Sequence, residues 1–87
     1  MSLVVRKYTA QWCAPCKTLA PIVEKLAADF PDVEFKTIDI DDNPEEATAA
    51  GVTAVPTIIF EKDGAVVKTM VGLHSYGSLS LEIGKYK

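Results

Sequence analysis

The segment Trp12-Cys13-Ala14-Pro15-Cys16 follows a β-rich run, Leu3 to Thr9. It opens a stretch in which Leu19, Ile22, Val23, Leu26 and Phe30 recur at three- and four-residue steps. A strand that turns directly into an amphipathic helix, with both cysteines of the chain at the junction, narrows the available folds more than any other feature. Cys13 takes the N-cap region and Cys16 lies one helical turn on, so the two sulfurs share a face. Helical neighbours at that spacing have Cβ atoms roughly 5 to 6 Å apart, a small adjustment away from the roughly 3.5 to 4.5 Å of a disulfide. One backbone therefore fits both redox states.

Downstream, Phe30-Pro31-Asp32 stops the helix and Val33 to Asp39 reads as a second strand. Asp41-Asp42-Asn43-Pro44 turns into a short helix, with Asn43 expected as its N-cap, Pro44 at its first position and Gly51 as its stop. Thr57 to Glu61 and Ala65 to Val71 are apolar β-rich segments, and Lys62-Asp63-Gly64 between them signals an antiparallel hairpin. Leu79, Ile83 and Tyr86 mark a last helix. The order is β-α-β-α-β-β-α, an α/β sandwich built on one mixed sheet. Both strand-helix-strand passages are expected to give parallel pairing, with the hairpin adding an antiparallel edge.

Composition sets the class. With 87 residues the chain is expected to form a single domain over 1–87, because a chain this short supports one modest core. Its 48% hydrophobic and 24% charged residues are an ordinary soluble balance. A net charge of -3 without any Lys/Arg cluster argues against nucleic-acid and anionic-membrane partners. The apolar run Leu3 to Val5 is too short for a signal-peptide core or a membrane span. The expected location is the cytoplasm.

In a reducing compartment a C-x-x-C pair points to redox or metal chemistry more than to a permanent crosslink. As a staple it would close two intervening residues, worth roughly 2 kcal/mol against about 3 for a fifteen-residue loop. A zinc site needs four ligands, whereas the chain has two cysteines and one histidine, His74. A staple and a metal site shared between chains stay open as alternatives, but reversible thiol-disulfide exchange accounts for the pattern best. Backbone N–H groups and the dipole at the helix start stabilise a thiolate at Cys13. A fall in its pKa from roughly 8.5 to about 7 would raise the thiolate fraction near neutral pH from a few per cent to about half. Cys13 is thus expected to be the exposed nucleophile and Cys16 the resolving thiol. Pro15 falls in the first turn, where its missing N–H costs little.

Taken together, "WCAPCK", Pro21, "DIDDNP" (Asp39 to Pro44), "GVTAVPT" (Gly51 to Thr57) and "KDGAVVKTMVG" (Lys62 to Gly72) resemble the thioredoxin family, in the same order and over the whole chain from Leu3. The resemblance implies a four-stranded mixed sheet with helices on both faces and a cis Val55-Pro56 bond facing the dithiol. It implies that Val55 pairs through its backbone with an extended substrate segment and that Trp12, Pro56, Gly72 and Leu73 complete a shallow apolar groove. It further implies no bound cofactor, electrons drawn from NADPH through a flavin-dependent thioredoxin reductase, disulfide-containing client proteins with ribonucleotide reductase among them, and a monomer. The typical member has a further strand and helix before the segment matching Leu3, so the chain is similar to the shortest microbial and viral members. The Val33 to Asp39 strand then becomes an exposed edge, and one sheet face has fewer helices, which would accommodate Arg6 in a central strand.

Two departures bear on chemistry. Ala14 replaces the usual glycine of the active-site turn. Lys7 stands where many members place a buried carboxylate, and Thr37 where they place its basic partner. Lys7 is thus a candidate modulator of the thiol pKa, unless its amine reaches solvent along its stem. Two other functions fit the same residues: a glutathione-coupled, glutaredoxin-like reductase, and a thioredoxin-fold binding subunit whose dithiol is incidental.

Overall fold

The computed structural model describes residues 2–87; Met1, the first residue of the expected domain, lies outside them. Seven elements follow in the expected order: β1 (Leu3–Thr9), α1 (Ala14–Asp29), β2 (Glu34–Asp39), α2 (Pro44–Ala49), β3 (Thr57–Lys62), β4 (Ala65–Val71) and α3 (Tyr76–Tyr86). They form one four-stranded sheet in the order β2-β1-β3-β4, so β2 is an edge as anticipated. Strand β1 pairs parallel with β2, Lys7 lying opposite Thr37. It pairs antiparallel with β3, Lys7 lying opposite Ile58.

That second pairing corrects the expectation of two parallel passages. The sixteen residues of α1 run about 24 Å, long enough to carry the chain back to the end of the sheet where β1 began. The six residues of α2 run about 9 Å, less than half the length of a six-residue strand. The chain therefore enters β3 from the end at which β2 finished, and β3 runs antiparallel to its neighbour.

Alternation along the strands separates two packing faces. Leu3 and Val5 of β1 and Ile58 and Phe60 of β3 face Leu19, Val23 and Leu26 of α1 and Leu79 and Ile83 of α3. On the opposite face Tyr8, Ile38 and Ile59 close around Ala47 of α2. Helices thus cover both faces, two on one and the short α2 on the other. Arg6 emerges on the more open side, where its Nε donates to Glu61 Oε1 at 2.6 Å and its guanidinium lies 3.5 Å from Glu46. Those two carboxylates account for a charge in the middle of the sheet.

Local signals hold with one exception. The hairpin loop is Asp63-Gly64, and both residues have positive φ (53° and 85°), as a two-residue loop requires to match strand twist. Asn43 stands at the start of α2 but makes no side-chain cap. Its Nδ2 instead donates back to the Asp39 carbonyl at 3.1 Å, tightening the preceding turn. The side-chain cap the sequence reading missed belongs to α3, where Ser75 Oγ accepts from the Ser78 N–H at 3.1 Å.

Candidate active site

The dithiol sits where β1 gives way to α1. The turn is closed by the Cys13 N–H, which donates to the Ala10 carbonyl at 3.2 Å. Cys13 keeps an extended backbone (φ −92°, ψ 109°) as the N-cap of α1, and its Sγ accepts from the Cys16 N–H at 3.2 Å. The sulfur thus occupies the place that a serine or aspartate oxygen takes in ordinary caps, directed at the unpaired N–H groups of the first turn. Cys13 and Cys16 form a disulfide, with Cα atoms 5.2 Å apart. The helix-end environment expected to stabilise a Cys13 thiolate is in place.

Burial differs from the expectation. Cys13, expected to be exposed, is 4% exposed, and Cys16 is 2% exposed. The reason is local packing: Ala10 forms a small cluster with the two cysteines, and half-buried Ile40 and Val55 close against it. In this oxidised state the exposed neighbour is Trp12, at 68%. Its indole Nε1 donates to Asp41 Oδ2 at 2.9 Å, and the Asp41 N–H is held by Asp39 Oδ1 at 2.8 Å. Asp41 escaped the sequence reading as a site residue. The signal available was its place just beyond β2, the strand parallel to the one that leads into the cysteine turn.

The second wall comes from the loop before β3. The Val55-Pro56 bond is cis and Pro56 is fully buried. The Val55 carbonyl lies 3.6 Å from Cys13 Sγ. Thr57 Oγ1 donates to the Ala54 carbonyl at 2.6 Å. Gly72, at φ 96°, donates its N–H to the Pro56 carbonyl at 2.8 Å, so the end of β4 is tied to the same loop. Leu73 follows, half exposed. Cys13, Cys16 and Val55 thus come together directly; Pro56 follows Val55 in the chain, and Gly72 is tied to Pro56 by one hydrogen bond.

Lys7 lies behind the pair. It is 7% exposed, so most of its stem is enclosed. It shares an open cavity of about 520 Å³ with Cys16, Lys17, Ala20 and Asp39. Burial pushes its pKa below the ordinary lysine value, and the charge of Glu24 opposes that shift. Among the described residues no carboxylate stands within ion-pair distance of it. His74 is occupied elsewhere, its Nε2 lying 3.1 Å from the Val71 carbonyl. Among the described residues no group of three or more His, Cys, Asp or Glu side chains is placed to hold a metal ion. Among the described residues no helix is long and apolar enough to cross a membrane.

Comparison with known proteins gives this geometry its context. The thioredoxin family pattern matches residues 1–85. The chain belongs to the thioredoxin family. It is 44% identical over 85 residues to thioredoxin of Chlamydia muridarum, covering 98% of this chain and 83% of that protein. It is 35% identical to thioredoxin of Listeria monocytogenes, covering 97% and 82%. Among solved structures it superimposes on Fasciola hepatica thioredoxin with a TM-score of 0.94 at 43% identity, covering 99% of this chain and 82% of that one. The thioredoxin fold, the Cys13–Cys16 pair and these relatives make the chain a redox-active thiol-disulfide oxidoreductase.

Proposed function

We propose that the chain is a protein-disulfide reductase in which Cys13 attacks and Cys16 resolves. Thiolate Cys13 attacks a client disulfide to give a mixed disulfide and release one client thiol. Cys16 then attacks Cys13, expelling the second client thiol and leaving Cys13–Cys16 oxidised. The observation that carries this reading is the cap geometry: Cys13 Sγ holds the N-cap of α1 and accepts the Cys16 N–H, so the helix start favours negative charge at Cys13. Val55, Pro56, Gly72 and Leu73 form the client-binding surface with Trp12, and the Val55 backbone pairs with an extended client segment. The sulfur-to-carbonyl contact between Cys13 and Val55 supports that assignment, because it sets the peptide edge beside the nucleophile.

The protein works as a monomer in the cytoplasm, with neither nucleic acid nor membrane as partner. It needs no bound cofactor. Electrons come from NADPH through a thioredoxin reductase, and clients are disulfide-containing proteins, ribonucleotide reductase among them. The test is to present the oxidised protein to thioredoxin reductase with NADPH and, separately, to glutathione, and then to measure reduction of insulin disulfides. Fast reduction by the reductase and turnover of insulin support the reading. Efficient reduction by glutathione alone would assign the glutaredoxin-like alternative, and absence of turnover with either donor would leave the binding-subunit reading.

A further inference from the structure

Lys7 is a buried base that shares a cavity with a cysteine whose sulfur changes charge during the reaction. Strand β1 lies between β2 and β3, and Lys7 falls on the same face as Leu3 and Val5, toward α1. It is 7% exposed and opens into the cavity that also contains Cys16. The charged groups around it are few. Helix α1 contributes Lys17 to the cavity and Glu24 at longer range, the end of β2 contributes Asp39, and β3 presents only Ile58 opposite Lys7. Among the described residues no carboxylate lies within ion-pair distance of the amine, and a charge withdrawn from water without a close partner is disfavoured. With the disulfide closed, the neighbouring sulfur is neutral. Once the disulfide opens, a Cys16 thiolate would provide the missing anion in the same cavity.

We propose that Lys7 is the proton partner of Cys16: in the reduced protein, amine and thiol hold one proton between them as an ammonium–thiolate pair, and closing the disulfide dissolves that pair. The proposal rests on the disulfide-exchange reading above. In the mixed disulfide with a client, the Cys16 thiolate attacks Cys13 Sγ. The Cys16–Cys13 bond forms, the bond between Cys13 and the client sulfur breaks, and the electron pair leaves with the client sulfur. Lys7, now an ammonium without its anion in a desolvated site, loses proton affinity and releases its proton, and the client thiolate gains one. The dithiol is oxidised by two electrons and the client disulfide is reduced by two. Lys7 acts through Cys16 and is a positioning residue.

Two measurements test this. In a Cys13→Ser background Cys16 is the sole thiol, and its ionisation is followed by thiolate absorbance against pH with Lys7 present or replaced by Met, which fills the same buried space. Lys7→Met is expected to lower the Cys16 thiolate fraction at neutral pH about tenfold, one pKa unit. An unchanged Cys16 titration in a folded variant overturns the proposal. The second measurement uses the unmodified protein, so folding of a variant does not enter: the Lys7 side chain is titrated by NMR in the oxidised and reduced forms. A higher lysine pKa after reduction supports the pair, and identical titration in both states refutes it. If insulin reduction fails while Cys16 ionisation still depends on Lys7, the functional reading falls and the proton pair stands.

Discussion

Replacing Leu19 by alanine should weaken the seat of the helix that carries both cysteines. Leu19 lies three residues beyond Cys16, is fully buried, and packs with Leu3, Val5, Ile58 and Phe60 in the main core. Truncation to alanine removes three carbons' worth of apolar burial, roughly 2 kcal/mol at about 0.8 kcal/mol per methylene. The cavity left between α1 and the sheet adds to this, giving about 3 to 4 kcal/mol overall. A domain of this size has roughly 4 to 13 kcal/mol in total, so the variant loses upward of about a fifth of its stability. At about 4 to 8 °C per kcal/mol for a domain of this length, Tm should fall by about 12 to 30 °C. Thermal unfolding of the oxidised variant, followed by far-UV circular dichroism, measures this. A fall of less than about 5 °C would mean that Leu19 is not enclosed by the sheet and that the packing described for α1 is wrong.

Gly72→Ala should cost about 1 to 2 kcal/mol, because Gly72 has φ 96° and the space around it is open, so the penalty is backbone strain without a clash; denaturant unfolding reads it, and a neutral result would place Gly72 in an ordinary backbone conformation. Stability of the oxidised protein should rise with pH as the medium passes from the depressed pKa of Lys7 toward the ordinary lysine value. In that window the unfolded chain binds more protons at Lys7 than the folded one, so raising pH favours the fold. Lys7→Met should flatten that rise in urea midpoints measured across the window; an unaltered slope would assign the pH dependence to other groups.

The sequence reveals the fold where local chemistry and periodicity agree. The bounds of β1 and β4 coincide with the apolar runs Leu3 to Thr9 and Ala65 to Val71, and α1 begins at Ala14 as the Cys13 cap and Pro15 require. Strand direction was less legible: the short helix between Pro44 and Gly51 is marked in the sequence, but that a helix of six residues cannot return the chain to the far end of the sheet is a matter of distance, which the residue pattern does not display. The cysteine pair was legible from spacing. Its burial was not, because Ala10, Ile40 and Val55 reach it from three separate segments of the chain. Asp41 was hidden for the same reason: its bond to Trp12 spans 29 residues and joins two loops brought together by the parallel β1–β2 pair. Lys7 was marked by its position, but its enclosure follows only from the seating of α1 over β1.

The division of labour between the two sulfurs is settled most directly by trapping. A Cys16→Ser variant, reduced and mixed with a disulfide-bonded client such as insulin, should accumulate a mixed disulfide at Cys13 in near-stoichiometric yield, because the first attack is intact and the resolving thiol is gone. Peptide mapping by mass spectrometry under non-reducing conditions locates the adduct, with Cys13→Ser as the matched control. A trapped Cys13–client bond in the first variant and little adduct in the second is the predicted result. Stable adduct at Cys16 in the Cys13→Ser protein, with none at Cys13 in the Cys16→Ser protein, would reverse the assignment of nucleophile and resolving thiol.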